Sequence, residues 1–204
     1  MGAPVVDINI VRGKTFEFAY RYAESDLVYL PITGMANVAP VRLNLPAHGI
    51  PDGWPIRVEC LKFPEELNNR PDGEEPYYFA KVVDESIIEL NSVNAYCWKP
   101  YVSGGLVVFN RPSDITGFAA RMTIKDRVGG KVLLKLSSDP LSEPDGSITI
   151  DIGLSAFIAK LSAETTEAID WRKAVYDIEA IAPGGEVYAV VAVSAVTIQG
   201  EVTQ

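Results

Sequence analysis

The stretch from Ser113 to Leu136, SDITGFAARMTIKDRVGGKVLLKL, constrains the fold more than any other part of the chain. Between Phe118 and Lys125, Ala120, Met122 and Ile124 alternate with Ala119, Arg121, Thr123 and Lys125, the period of two that marks a strand with one buried face. Asp126-Arg127-Val128-Gly129-Gly130 follows, and its glycines supply the positive φ that a tight reversal needs. Val132, Leu134 and Leu136 then make the apolar side of a returning strand, although Leu133 intrudes on its wet side. The pair predicts an antiparallel hairpin.

The same grammar runs through the chain. Val6, Ile8 and Ile10 alternate with polar residues, Arg12-Gly13-Lys14 turns, and Phe16, Phe18, Tyr20 and Tyr22 share a face, which predicts a further hairpin. Leu27 to Leu30 is a short apolar strand, punctuated by Pro31-Ile32-Thr33-Gly34. Between about Met35 and Pro112 the Pro, Gly and Asn content rises. Strands are predicted there at Val41 to Leu45, Ile56 to Phe63, Tyr77 to Val83, Ser86 to Leu90 and Leu106 to Phe109, enough for a small β-barrel. Further on, Ile148, Ile150 and Ile152 alternate, Phe157 to Ser162 is a strand, and Ser162 caps a helical turn over Ala163 to Ile169. Tyr176, Ile178 and Ala180 lead to the turn Pro183-Gly184-Gly185. Val187, Ala189, Val191 and Val193 return, and Ala195 to Gln199 extend the edge.

Thr33-Gly34, where the first part ends, is echoed by Thr116-Gly117, where the second begins. Insertions are tolerated in loops whose ends lie close together. The expectation is an all-β protein: an immunoglobulin-like antiparallel sandwich from residues 1–34 and 113–204, carrying a small inserted β-barrel domain of residues 35–112.

Composition narrows the chemistry. A net charge of −9 argues against a nucleic-acid surface, because phosphate binding requires clustered Lys and Arg. No apolar run approaches the roughly 20 residues of a membrane span, so neither nucleic acid nor membrane insertion is expected. Cys60 and Cys97 are read as free, packed thiols, Cys60 falling in phase with Ile56 and Val58. The lone His48 sits in a Pro/Gly turn without a nucleophile or metal-ligand spacing beside it. Gly129-Gly130-Lys131 joins two strands and is a hairpin turn, not a phosphate loop. Asp139, Glu143 and Asp145 offer oxygen donors, but their spacing misses that of a calcium loop. Glu65, Glu66, Asp72, Glu74 and Glu75 crowd one polar loop that announces no sugar-sized cleft. No catalytic, cofactor-binding or metal-binding residue is expected. Trp54, Trp98, Trp171, Tyr77, Tyr78, Tyr96 and Tyr101 form a candidate sugar or protein platform. Of these, Trp54, Trp98, Tyr96 and Tyr101, in the insert, are the candidate partner interface.

The run D-I-T-G-F-A-A-R-M-T-I-K at Asp114 to Lys125, with V-L-L-K-L at Val132 to Leu136, resembles a signature of structural proteins encoded among the tail genes of tailed bacteriophages. Gly13 to Phe18, Ala174 to Glu179 and Val202-Thr203 follow the same pattern in order and spacing, so the resemblance spans nearly the whole chain. Leu45 to Gly53, Tyr77 to Val83 and Ile87 to Leu90 are similar to the small β-barrel of the first catalytic-cysteine half-domain of ubiquitin-activating enzymes, which implies shape only. The first resemblance implies a non-enzymatic virion component, made in the host cytoplasm: a tail or baseplate adaptor that contacts other tail proteins and is used in several copies as a homo-oligomer. The alternatives are a capsid decoration protein and a receptor- or glycan-binding tail module.

Overall fold

A computed structural model describes residues 3–69, 77–142 and 144–200. In chain order the strands are β1 (Ile8–Val11), β2 (Phe16–Arg21), β3 (Ala23–Pro31), β4 (Gly34–Ala36), β5 (Val41–Asn44), β6 (Trp54–Leu61), β7 (Tyr78–Asp84), β8 (Ile87–Leu90) and β9 (Gly104–Pro112). They continue with β10 (Ala119–Lys125), β11 (Val132–Ser137), β12 (Gly146–Asp151) and β13 (Ala156–Leu161), then the helix α1 (Ala163–Glu167), β14 (Lys173–Ile181) and β15 (Val187–Gln199). The protein is all-β, a sandwich-type unit carrying a barrel-like one.

The chain divides into two compact units. Unit 1 combines the segment up to Tyr22 with the segment from Asp114, and unit 2 runs from Ala23 to Ser113. The expected domains were 1–34 with 113–204, and 35–112. The later boundary agrees to within a residue, whereas residues 23–34 fall in unit 2. The reason is pairing: Leu27 to Pro31 of β3 lie antiparallel to Asn110 to Leu106 of β9, so β3 is an integral strand of the unit it was expected to precede.

Unit 1 is one curled sheet in the order β1-β15-β14-β10-β11-β12-β13-β2. The central hairpin is as expected. Arg121 to Ile124 face Ser137 to Leu134, and Ala120, Met122 and Ile124 point into the core. Leu133 is the extra residue of a bulge, since Ile124 pairs with Leu134 and Lys125 with Val132; this turns the apparent intruder toward the core. At the tip, Gly129 adopts φ +71° and Asp126 N–H donates to Lys131 O. One expected hairpin is absent. β1 and β2 do not pair with each other but lie at opposite ends of the sheet, β1 parallel to β15 and β2 antiparallel to β13. The sheet is therefore antiparallel except at β1–β15 and at the short β11–β12 pairing. For the same reason, Ala195 to Gln199 flank β1 instead of forming a free edge. Val190 and Val191 are both buried, so the alternation expected along β15 breaks at a bulge. Ser162 caps α1 as expected, accepting from Thr165 N–H at 3.0 Å.

The unit 1 core gathers Ile10, Phe16, Met122, Ile124, Phe157 and Ile178 around two buried tyrosines. Tyr20 hydroxyl donates to Tyr176 hydroxyl at 3.3 Å, and Tyr176 hydroxyl donates to Val6 O. Burial first, and then the paired hydroxyl, push the Tyr20 pKa far above that of a free phenol.

Unit 2 is a second sheet, β3-β9-β6-β7-β8-β5-β4, curled nearly closed and antiparallel throughout. Val41, Leu43, Trp54, Ile56, Val58, Ile88 and Val107 fill it, each at most 1% exposed. The alternation of β6 breaks at Cys60. That residue takes φ +58°, Leu61 turns inward in its place, and Cys60 is exposed. Both expected packed thiols are thus surface residues, Cys97 because it lies on an exposed loop, and both are free. Neighbouring asparagines serve the distorted strand. Asn68 bonds both Leu61 N–H and Leu61 O at 2.8 Å, and Asn69 Oδ1 accepts from Val58 N–H.

Candidate functional site

Three of the four candidate interface residues come together, and Trp54 does not join them. As the first residue of β6 it is in phase with Ile56 and Val58, so it points into the unit 2 core with 1% of its surface exposed. Its indole N–H donates to Asn110 O at 3.0 Å. A side chain so placed cannot serve as a surface anchor.

Tyr96, Trp98 and Tyr101 lie on the loop between β8 and β9 and line an open cleft of about 610 Å³ together with Gly34, Asn44 and Pro100. Met35, Ala36 and Asn37 complete the lining. The loop is held by specific bonds. Asn37 Nδ2 donates to Trp98 O at 3.0 Å and to Lys99 O at 2.7 Å, and Tyr96 N–H donates to Asn94 Oδ1. Tyr101 hydroxyl reaches Ile32 O at 2.8 Å and Gly104 O at 3.1 Å. The next residue, Gly105, has φ +91°, and a Cβ there would lie 2.6 Å from Leu61 Cδ1 and 2.9 Å from Ile32 Cδ1. Only glycine lets β9 start this close to the crossing of β3 into β4, and that fixes where Tyr101 stands.

The three aromatics are exposed to different degrees. Trp98 is half-buried and rests on the unit 2 core, Tyr101 packs there with it, and Tyr96 is 75% exposed. Beside them Lys99 Nζ lies 5.6 Å above the Phe63 ring. Among the other aromatics of the candidate platform, Tyr77 is exposed and Tyr78 half-buried in unit 2, whereas Trp171 packs against the unit 1 core. Sequence reasoning passed over Gly34, Asn37 and Asn44. β4 is only three residues long, too short to show a period, and Gly34 reads as punctuation. The Asn-rich character of this region was the available signal.

The remaining candidates have structural work. His48 is buried; its Nδ1 accepts from Ile50 N–H at 2.9 Å and its Nε2 lies 2.8 Å from Asp84 O, which places the proton on Nε2 and ties one loop to the β7–β8 turn. Asp139 Oδ1 accepts from Leu141 N–H and caps a backbone turn, and Asp145 Oδ2 accepts from Lys135 N–H and ties its loop to β11. Glu143 and the acidic residues Asp72, Glu74 and Glu75 lie outside the described residues, as do Val202 and Thr203, and Glu65 and Glu66 are exposed on a short 3-10 turn. Among the described residues no three His, Cys, Asp or Glu side chains gather as a metal would require. No helix among them is long and apolar enough to cross a membrane.

Comparison with known protein families gives no match, and comparison with curated proteins gives none either.

Proposed function

We propose that the chain is a structural adaptor of a tailed-phage particle, placed in the tail or baseplate, with unit 1 seated among other tail proteins and unit 2 presenting its aromatic loop. The observation that carries this reading is a division within one chain. Two all-β units have separate cores, one interrupts the other, and the loop with exposed Tyr96 belongs to the interrupting unit. A module with its own core can vary its surface without disturbing the scaffold that carries it. The resemblance of the β10–β11 hairpin to tail proteins supports the particle as the setting, and repeated copies follow from the symmetry of such particles.

The test uses particles produced from the genome that encodes the chain, washed and examined by quantitative mass spectrometry and antibody-gold labelling. The expected result is several copies per particle, with gold on the tail. Gold on the capsid exterior would make the chain a decoration protein, and absence from washed particles would end the reading.

A further inference from the structure

We propose that the cleft beside Gly34 binds an uncharged saccharide, stacked on the aromatic loop and hydrogen-bonded by Asn44 and the Trp98 indole. The inference deepens the reading of unit 2 as the presented part, and it rests on that reading for its biological setting. The binding itself is a property of the isolated chain.

Charge is the first argument. The chain carries 22% charged residues and a net charge of −9, yet no residue lining this cleft is charged. An anionic polymer would meet no cation there and would be repelled by the chain as a whole. A basic peptide would find no carboxylate in the lining, and nucleic acid no partner for its phosphates.

Hydrogen-bonding capacity is the second. The Asn37 Nδ2 and the Tyr101 hydroxyl are spent holding the loop. Among the described residues, the Asn44 amide, the Asn37 Oδ1, the Trp98 indole N–H and the Tyr96 hydroxyl have no protein partner. Asn44 lies across Gly34, where a Cβ would come 2.9 Å from Nδ2 and 3.5 Å from Cγ, so the missing side chain makes room for the amide. An amide both donates and accepts, and so does each hydroxyl of a sugar. A proline-rich peptide also suits aromatic clefts, but its prolines present carbonyl acceptors alone and would leave the amide oxygen to water.

Shape is the third. The exposed Tyr96 ring and the part-buried rings of Trp98 and Tyr101, beside a few polar groups, give the apolar faces of a sugar ring a surface, while the polar groups set its orientation. The bonds to Ile32, Gly104, Trp98 and Lys99 fix the loop before any ligand arrives, which lowers the ordering cost of binding.

The experiment is saturation-transfer NMR on the full chain with a panel of neutral gluco-, galacto- and manno-oligosaccharides, followed by titration of tryptophan fluorescence. At least one oligosaccharide should bind, with an affinity on the order of millimolar for a cleft this open. Tyr96→Ala and Asn44→Ala, both at exposed positions, should each weaken it more than about tenfold while the melting temperature stays put. No binding by any member at ~10 mM would overturn the proposal. So would binding that survives both substitutions, or a polyproline peptide that binds the cleft while the sugars do not. Because no particle is involved, failure here is separate from failure to find the chain in particles.

Discussion

In unit 2 the two end strands of the sheet, β3 and β4, are joined by Ile32 and Thr33 alone. Ile32 N–H donates to Gly105 O in β9, the neighbour of β3, and Thr33 N–H to Asn44 O in β5, the neighbour of β4. In unit 1 the end strands β1 and β2 are also consecutive in the chain, but the turn between them is secured differently. Arg12 N–H donates to Gln199 O in β15, and the carbonyl of Lys14 receives the hydroxyl of Thr166 from α1 at 2.8 Å. Both units bring together the two edges that an open sheet would expose by making them neighbours along the chain. Unit 2 holds this seam with backbone bonds from both linking residues, supplemented by the Thr33 and Tyr101 hydroxyls, and unit 1 holds it with one backbone bond to β15 and a side chain from α1, outside the sheet.

The largest effect that would break this comparison comes from cutting unit 2 at different points. A fragment of residues 23–113 keeps β3 against β9 and should melt cooperatively, whereas 35–112 loses β3 and exposes the β9 edge. Circular dichroism and size-exclusion chromatography should find the shorter fragment unfolded or aggregated. Equal stability of the two would mean that β3 contributes nothing to unit 2.

Next in size is Trp54→Ala. It removes a core side chain and its bond to Asn110 O and should cost about 3–5 kcal/mol. Hydrogen exchange should show the loss in β6 to β8 and not in the strands of unit 1. An unchanged unit 2 would return Trp54 to the surface role first expected of it.

That residue shows where sequence reading stops. Alternation located nearly every strand and put Ala120, Met122 and Ile124 inward, because facing is a local property with a period of two. The cap at Ser162 and the turn at Gly129 were equally legible, being chemistry within four residues. Strand neighbours are not local, and so β1 and β2 were paired with each other when each had a distant partner. A bulge at Leu133 and a positive φ at Cys60, where the register with β9 is kept, each upset the local alternation, and the second left Cys60 out and Leu61 in. At the cleft, Tyr96, Trp98 and Tyr101 were legible as aromatics in loops, whereas Asn44 and Gly34 became visible only once β4 lay beside β5.

The difference in closure is sharpened by Thr166→Val, which keeps the side-chain shape and removes the hydroxyl that reaches Lys14 O. Thr166 is fully buried but Lys14 lies at an exposed position, so loss of the bond should cost unit 1 up to about 1.5 kcal/mol and loosen the β1–β2 turn in hydrogen exchange. Protection of that turn at the parental level would show that unit 1 closes without α1.

A smaller effect separates the cores by pH. Tyr20 is held neutral in unit 1, so its contribution is complete below the unfolded tyrosine value of 10.0 and is lost as pH rises beyond it, where only the unfolded chain ionises. Tyr20→Phe should flatten the alkaline fall of the unit 1 transition, at a cost near neutrality of about 1 kcal/mol for the hydroxyl bond to Tyr176. An alkaline profile that is the same with and without the hydroxyl would sink this assignment.

The smallest expected effect lies on the acid side of unit 2. Asp52 Oδ2 accepts from Lys81 Nζ at 2.8 Å and Oδ1 from Val82 N–H at 2.8 Å, joining the start of β6 to β7. The bond from Lys81, ahead of the backbone bond, holds the carboxyl below its ordinary value of 3.8. A depressed carboxylate stabilises the fold above the unfolded pKa, and that contribution disappears as pH falls through the lower folded value. The side chains of Asp52 and Lys81 are 48% and 53% exposed, so solvent screens the pair and Asp52→Asn should cost no more than about 1 kcal/mol at neutral pH. Added salt should shrink that cost. Below pH 3.8 the gap between variant and parent should begin to narrow, and it should close once pH has fallen through the lower folded value, where the parental carboxylate is protonated as well. Chemical denaturation of unit 2 across this range measures the gap directly, and a gap that persists in acid would trace the loss to the geometry of the β6 start instead of its charge.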